Sequence, residues 1–224
     1  YEMSASLVGS EMCIRDSLVG DGLFRMVLGM VYKFVLAAAF YQGMTYLGNP
    51  IAGTDWTGST LAYMYCYGFY LFFDFAGYSL MAIGMGYIFG IVTPDNFKKP
   101  FISVDIKDFW DRWHITLSHW FRDFVFSRFM MASIRGKWFK NKLTGASIGF
   151  MINMTLMGVW HGLSWCYILY GVYHGILLAV TEVYQKKSKF YKKNKKKKWY
   201  KIVSGVITFN LVMFGFLIFS GRLI

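Results

Sequence analysis

Charged residues and cysteines are scarce in this sequence. Only 16% of its 224 residues are charged, and Asp and Glu number 12 against 24 for Lys and Arg. A typical soluble domain carries about 25% charged residues, so the composition disfavours a soluble protein. The three cysteines show neither the spacing of metal ligands nor a disulfide framework.

The motifs of several enzyme classes are absent as well. The sequence contains no Gly-rich phosphate loop, no HExxH and no cysteine zinc motif, and its one GxSxG string, GASIG at 145–149, lies in an apolar block without the strand-to-helix context of a nucleophile elbow. Nucleophilic serine chemistry is therefore unsupported, and we predict no metal site. For catalysis there remains a base of the histidine type, and the chain has 4 histidines.

Apolar residues are abundant and come in blocks. They make up 56% of the chain, and aromatic residues alone make up 21%. Four blocks are nearly free of charge: 23–47, 61–92, 143–183 and 202–219. Each is long enough for a helix across a bilayer, and soluble core helices do not explain four such blocks. The sequence therefore predicts an all-α, polytopic membrane protein.

Basic residues between the blocks predict the orientation of the helices. Arg25 and Lys33 lie early in the first block, the connection 49–59 has no Lys or Arg, and Lys98 and Lys99 follow the second block. By the positive-inside rule the first span runs outward and the second inward. The third block crosses the membrane twice with a turn near Gly162, and the last block crosses outward once more.

The net charge of +12 comes largely from lysines in these connections. The densest run, 186–201, predicts a cytoplasmic loop that meets anionic lipid. A nucleic-acid site is the weaker alternative, because no domain presents the run.

The segment 7–17, LVGSEMCIRDS, is polar and lacks the basic start and apolar core of a signal peptide. It looks like the translation of a sequencing adaptor. We therefore expect 1–17 to be non-native and 18–224 to be the C-terminal part of one membrane domain, with its own N-terminal portion missing.

The charged stretch 104–131 predicts one amphipathic helix that lies in the cytoplasmic interface or re-enters from it. At about 100° per residue, one face collects mainly aromatic residues and the other collects polar ones. The aromatic face comprises Trp110, Trp113, Leu117, Trp120, Phe121, Phe124 and Arg128, and the polar face comprises Asp108, Arg112, His119, Arg122 and Asp123. His114 falls at the edge of the aromatic face.

The four histidines differ in their surroundings. An imidazole in an apolar setting is costly unless it is hydrogen-bonded or lines a wet cavity. For His161, in GVWHGLSW, and for His114, the residues leave catalysis and a structural role open. For His174 they favour a bond between helices, and for His119 a side chain that faces solvent or headgroups.

Two further polar residues lie within apolar blocks. A carboxylate such as Asp74 inside an apolar block generally indicates a functional site. For Asp74 we favour a structural hydrogen bond to a neighbouring helix. Asn153 is expected to make a similar helix-packing bond.

Three stretches closely resemble the membrane-bound O-acyltransferase family. They are YLFFDFAGYSLMAIGMGYIFGI (70–91), NFKKPFISVDIKDFWDRWHITLSHWFRDFVFSRFM (96–130) and MGVWHGLSWCYILYGVYHG (157–175). The resemblance implies that His161 of WHG is catalytic and that His114 of RWH is the second important position. We expect Asp74, Trp160 and Ser164 to support them. His119 stands where relatives commonly carry a small polar residue and is given no catalytic role.

The chain could belong to either of two bacterial branches of the family that it resembles. Alginate-acetylating members usually follow WFRD with a Pro-Leu-Gly-Gly-like segment, whereas this chain has FVFSRFMM. The resemblance is therefore greater to the branch that serves D-alanylation of lipoteichoic acid in the plasma membrane of Gram-positive bacteria.

That branch implies acyl transfer across the membrane. A D-alanyl carrier protein supplies D-alanine as a phosphopantetheine thioester, a hydroxyl of lipoteichoic acid accepts it, and His161 is the general base; no tightly bound cofactor is expected. Arg112, Arg122 and Arg128 are expected to contact the carrier protein or lipid. Direct transfer and transfer through an acylated partner stay open.

The alternatives to D-alanyl transfer are O-acetylation of an exported polysaccharide and a non-enzymatic transporter or scaffold. We expect the truncated fragment to be inactive alone.

Overall fold

Helices account for the regular structure of the chain in a computed structural model. The model describes the backbone of residues 2–48 and 56–223 and the side chains of 16–47 and 58–223. Within these ranges there is no β-strand, only one isolated bridge between Phe97 and Trp113. The chain divides into two units at residues 96 and 97, and each is described by itself.

The first unit consists of two long helical runs. Helix α1 (Glu2–Met30) continues through a π-helical segment (Val31–Ala37) into α2 (Ala38–Gly48), and α3 (Trp56–Ile88) follows. Side chains of 1–15 and residues 49–55 of the predicted connection lie outside the described residues, so the adaptor interpretation stays a prediction. The two runs pack through aromatic rings, with Phe40 stacked on Phe69 and Phe73 at centroid distances of 5.1 and 5.6 Å.

The second unit begins with short helices. A 3-10 turn (Pro100–Ile102) precedes α4 (Ile106–Trp110), α5 (Ile115–Phe121), a π-helical turn (Arg122–Phe126) and α6 (Ser127–Arg135). The carboxylate of Asp105 caps α4 by accepting hydrogen bonds from the backbone N–H groups of Lys107 and Asp108.

The predicted single helix over 104–131 is therefore wrong. The chain leaves the helix after Trp110 because the carbonyl of Arg112 accepts a hydrogen bond at 2.9 Å from the backbone N–H of Lys98, outside any helix. The predicted aromatic face is split in consequence. Trp110, Trp113 and Phe121 are buried, whereas Trp120 and Phe124 are more than half exposed.

Three long helices complete the second unit. They are α7 (Lys142–His161), α8 (Trp165–Lys187) and α10 (Lys198–Phe219), with the short α9 (Lys189–Asn194) before the last. The block 143–183 thus folds as two helices with a turn at residues 162–164, as predicted. The lysine run is partly helical rather than only a loop, since α9 lies within it.

Five helical stretches in the described ranges are long and apolar enough to cross a membrane: Asp16–Leu47, Gly58–Ile88, Lys142–His161, Trp165–Lys187 and Lys198–Phe219. This confirms a multi-pass, all-α membrane protein, and the number of candidate spans equals the number of crossings predicted from the sequence. Which ends face the cytoplasm stays a prediction.

The core of the second unit is aromatic. Phe109, Trp113 and Phe216 are each at most 5% exposed, and the ring centroids of Trp113 and Phe216 lie 4.8 Å apart. These contacts join α4 and the turn after it to α10, and thereby fix the position of the residue that follows, His114.

Candidate functional site

His161 is the last residue of α7, at the turn into α8. Its half-buried ring contacts the rings of Trp160 at 5.0 Å, Phe219 at 5.2 Å and Tyr167 at 6.2 Å between centroids. The next residue, Gly162, has φ 152° and ψ 167°, a conformation essentially restricted to glycine. A Cβ there would also lie 2.9 Å from the ring of Tyr167. Both the backbone conformation and the nearby ring of Tyr167 therefore require glycine at position 162.

The two helices that meet at this turn pack closely. A Cβ on Gly158 would overlap the carbonyl oxygen of Tyr167 on α8, so only glycine allows α7 and α8 to come this near. Because this approach is three residues from His161, it fixes the end of α7 against the start of α8.

His114 occupies the position just before α5, with left-handed backbone angles of φ 47° and ψ 52°. The pKa of His114 is lowered from 6.5 to about 4, first by burial and then by repulsion from a charged His161. The structure therefore brings the imidazoles of His114 and His161 close enough to sense each other's charge, although 47 positions separate them in the sequence. His114 is neutral at physiological pH.

The other two histidines differ in their surroundings, and the prediction for His174 is wrong. His174 is fully buried, and neither of its ring nitrogens has a hydrogen-bond partner among the described residues, so the expected bond between helices is not formed. Aromatic rings surround it instead, those of Tyr170 at 4.5 Å and Trp110 at 5.2 Å. His119 is half-buried and lines an open cavity, so its contact with solvent or headgroups stays a prediction.

This cavity has a volume of about 280 Å³ and was not anticipated from the sequence. It follows α7 from Phe150 to Met157, the latter one turn before His161. Its lining mixes apolar and charged side chains: Lys107, Trp110, Asp111, Ser118, His119, Arg122, Phe126, Phe150, Asn153, Met154, Met157 and Leu178. No local sequence pattern marks it, because its residues come from four separate segments.

Two polar groups in the cavity wall lack partners. The buried Oδ1 of Asn153 and the buried Nε1 of Trp110 make no hydrogen bond to any described residue. The amide nitrogen of Asn153 donates a hydrogen bond to the sulfur of Met154 at 3.8 Å, which stays within α7, so the predicted bond to another helix is not formed. One free acceptor and one free donor therefore line a largely apolar space.

The expected supporting residues lie in different places. Trp160 contacts His161 directly but is 59% exposed. Ser164 is exposed in the turn, where its hydroxyl accepts a hydrogen bond from the thiol of Cys166 at 3.3 Å. Asp74 belongs to the first unit and forms an ion pair with Lys33 of the preceding helical run, which confirms its predicted bond to a neighbouring helix.

Two of the three predicted arginine contacts are already paired with carboxylates. The Nε of Arg112 lies 2.6 Å from Asp108, and Arg122 lies 3.3 Å from Asp123 and 3.6 Å from Asp111. Arg128 is exposed. The positive charge that this segment offers to a partner is therefore smaller than its arginine count suggests.

Comparison with known proteins agrees with the resemblance seen in the motifs. The family model for membrane-bound O-acyltransferases matches residues 56–222. The chain is 46% identical over 207 residues to the teichoic acid D-alanyltransferase of Bacillus subtilis (strain 168), which covers 92% of the chain and 52% of the relative. It is 48% identical over 210 residues to the protein of that name from Streptococcus thermophilus, with 88% and 51% covered.

A more distant relative is the probable alginate O-acetylase of Pseudomonas aeruginosa, 36% identical over 205 residues, with 90% of the chain and 36% of the relative covered. The chain spans about half the length of the D-alanyltransferases it matches. From the family match and these identities, together with the frame of apolar helices, the chain belongs to the membrane-bound O-acyltransferase family.

Proposed function

We propose that the chain carries the catalytic histidines of a membrane O-acyltransferase that moves D-alanine from a carrier-protein thioester to hydroxyls of lipoteichoic acid. The observation that carries the proposal is that His161 and His114 lie within electrostatic range of each other, since a charged His161 lowers the pKa of His114. The name of the two relatives at 46 and 48% identity supplies the acyl group and the acceptor class.

His161 is the proposed general base. A neutral imidazole takes the proton of the acceptor hydroxyl while the hydroxyl oxygen attacks the acyl carbonyl carbon. The carbon–sulfur bond then breaks, and the leaving thiolate takes the proton from the imidazolium, which restores the neutral base. A well-placed base of this kind contributes a rate factor of about 100 to 10,000. The rings of Trp160, Phe219 and Tyr167 around His161 limit the access of water, which would otherwise hydrolyse the donor.

His114 is proposed as the second catalytic residue. With a pKa of about 4 it stays neutral, so one of its ring nitrogens carries a proton. Such an N–H can donate a hydrogen bond to the oxygen of the acyl carbonyl, where negative charge develops during attack. Its left-handed backbone, held by the turn after α4, keeps the ring near His161.

The cavity along α7 is the proposed path of the thioester arm. A phosphopantetheine arm supplies an activated acyl group and carries amide groups along its length. The free acceptor of Asn153 and the free donor of Trp110 fit such an amide, and the apolar wall fits the chain between the amides. The end of the cavity at Met157 points the path toward His161.

The same geometry suggests where the partners bind. By the predicted orientation, the Lys142 end of α7 faces the cytoplasm, where the carrier protein is, and the turn at Gly162 faces outward, where lipoteichoic acid is. Arg128 and the partly paired Arg112 and Arg122 attract an acidic carrier protein or anionic lipid. The proposed location is the plasma membrane of a Gram-positive bacterium.

The decisive experiment replaces His161 by alanine in the complete protein, expressed as the sole copy in a Gram-positive host. Ester-linked D-alanine released from the cell wall by mild base is measured, with membrane abundance of the protein as the control. We expect loss of nearly all ester-linked D-alanine at unchanged abundance. Normal ester content would show that His161 is not catalytic and would favour a transporter or scaffold.

A second candidate is O-acetylation of an exported polysaccharide, favoured by the 36% identity to the alginate O-acetylase. The chemistry at His161 would be the same, with a different donor and acceptor. Genes beside this one distinguish the two, since a D-alanine ligase and a carrier-protein gene accompany the first and polysaccharide-acetylation genes the second. Chromatography of the released acid, D-alanine or acetate, gives the direct answer.

A further inference from the structure

A groove runs along the first half of α10, away from the histidines. It lies between α10 and the segment 101–104 and has a volume of about 430 Å³. We call it the α10 groove, lined by Phe101, Ile102, Val104, Lys198, Lys201, Ile202, Gly205, Val206 and Phe209. Nothing in the proposed acyl transfer uses it.

Positive charge is concentrated at one end of the α10 groove. Lys198 and Lys201 are exposed there, and neither makes an ion pair with a described residue. Lys198 is also the first residue of the 22-residue helix, and the preceding Lys197 provides no side-chain cap. Uncapped N–H groups and the helix dipole favour an anion at this position.

The remainder of the α10 groove is apolar. The rings of Phe101 and Phe209 close it in an edge-to-face contact at 5.7 Å. A Cβ on Gly205 would meet only the carbonyl oxygen of Ser103, at 3.5 Å, so the glycine leaves open space in the floor. Eleven residues at about 1.5 Å each put Phe209 about 16 Å from Lys198 along the helix.

The surface beside the groove suits contact with a bilayer. Ile102 is 63% exposed, and Val203 and Ile207 on α10 are at least half exposed. In a helix apolar enough to span a membrane, such side chains face lipid. The cationic end and the apolar groove that follows it, about 16 Å in all, therefore have the charge pattern of a phospholipid, with its phosphate at the interface and the first part of its chain in the hydrocarbon.

We propose that the α10 groove binds one phospholipid with an anionic headgroup. The phosphate lies against Lys198, Lys201 and the first N–H groups of α10, and one acyl chain lies over Gly205 as far as Phe209. This is a defined site for a single lipid molecule, distinct from general attraction of the lysine run to the membrane surface, and it does not depend on the proposed acyl transfer.

Native mass spectrometry of the purified chain tests the acyl-chain part of the site. Phosphatidylglycerol and phosphatidylcholine with identical chains are the probes. Gly205→Leu fills the groove, and Val203→Leu is the control on the exposed side of the same helix. We expect one phosphatidylglycerol bound at least about tenfold more tightly than phosphatidylcholine, with Gly205→Leu reducing its occupancy about tenfold and Val203→Leu leaving it unchanged.

Paired lysine variants test the headgroup part. Lys198→Gln with Lys201→Gln removes two charges from the groove, and Lys192→Gln with Lys193→Gln removes two from the same lysine run elsewhere. We expect only the first pair to abolish the preference for phosphatidylglycerol. Equal effects of the two pairs would mean diffuse surface charge and overturn the site, as would unchanged lipid occupancy in Gly205→Leu. A thermal melt of each variant shows whether the fold is retained. If Gly205→Leu does not fold, the comparison of the two lysine pairs alone tests the proposal.

Discussion

Replacement of Gly162 by alanine tests the turn that presents His161. Its φ of 152° with ψ of 167° lies in a region that alanine adopts at a cost of about 1–3 kcal/mol. The added Cβ would also lie 2.9 Å from the Tyr167 ring, whereas ordinary contact begins at 3.4 Å. The ring must therefore retreat by about 0.5 Å.

This displacement reaches the site because the Tyr167 ring contacts the rings of Phe219 and His161. A displacement of about 1 Å at a catalytic group lowers the reaction rate about 100-fold. Half that shift therefore predicts a loss of about 10-fold in the rate of acyl transfer. The free energy of unfolding, measured by denaturant titration in mixed micelles, should fall by about 1–3 kcal/mol. Gly20→Ala is the control for an added methyl group without a clash, since a Cβ there meets nothing within 4 Å, and as a helical position it should raise the free energy of unfolding by up to about 1 kcal/mol.

A double variant separates the two causes. Tyr167→Ala removes the ring that the new Cβ would meet but leaves the backbone angle of Gly162 unchanged. We expect most of the stability loss of Gly162→Ala to persist in the Tyr167→Ala background. If the loss disappears there, or if Gly162→Ala behaves like Gly20→Ala, the reasoning from the backbone conformation is refuted.

Two further predictions concern titratable groups. His114 protonates only as the pH falls to about 4, well below the ordinary 6.5, and His161→Gln raises this pKa by removing a repulsive charge while burial keeps it below 6.5. NMR titration of labelled imidazoles measures both midpoints, and a His114 midpoint near 6.5 would contradict the burial. In the first unit, Asp74→Asn leaves the ammonium of Lys33 without its carboxylate and lowers the free energy of unfolding by about 1 kcal/mol. The double variant Asp74→Leu with Lys33→Met should recover that loss in the same micelle titration, and no recovery would mean that the pair is not what stabilises this contact.

The long helices and the turn at Gly162 were predictable because each depends on local sequence. Length and apolar composition define a membrane span, and a glycine beside a histidine between two such spans indicates a turn. The role of His161 came from the WHG motif, which also depends on neighbours in sequence.

The break before His114 was not predictable from periodicity. It depends on a hydrogen bond between Lys98 and Arg112, residues 14 positions apart, and helical periodicity carries no information about such a bond. The cavity at Asn153 and the aromatic surroundings of His174 depend in the same way on which helices meet. A polar residue in an apolar helix signals a special environment, but its hydrogen-bonding partner, or the lack of one, is set by tertiary packing.

The left-handed backbone at His114 restricts how its chemistry can be tested. Among natural residues, glycine, asparagine, aspartate and histidine enter this conformation most readily, whereas alanine or a β-branched residue strains it. An alanine variant would therefore remove the imidazole and distort the turn together. Asparagine keeps the turn and a hydrogen-bond donor but cannot titrate, so His114→Asn separates the shape of the site from its proton chemistry.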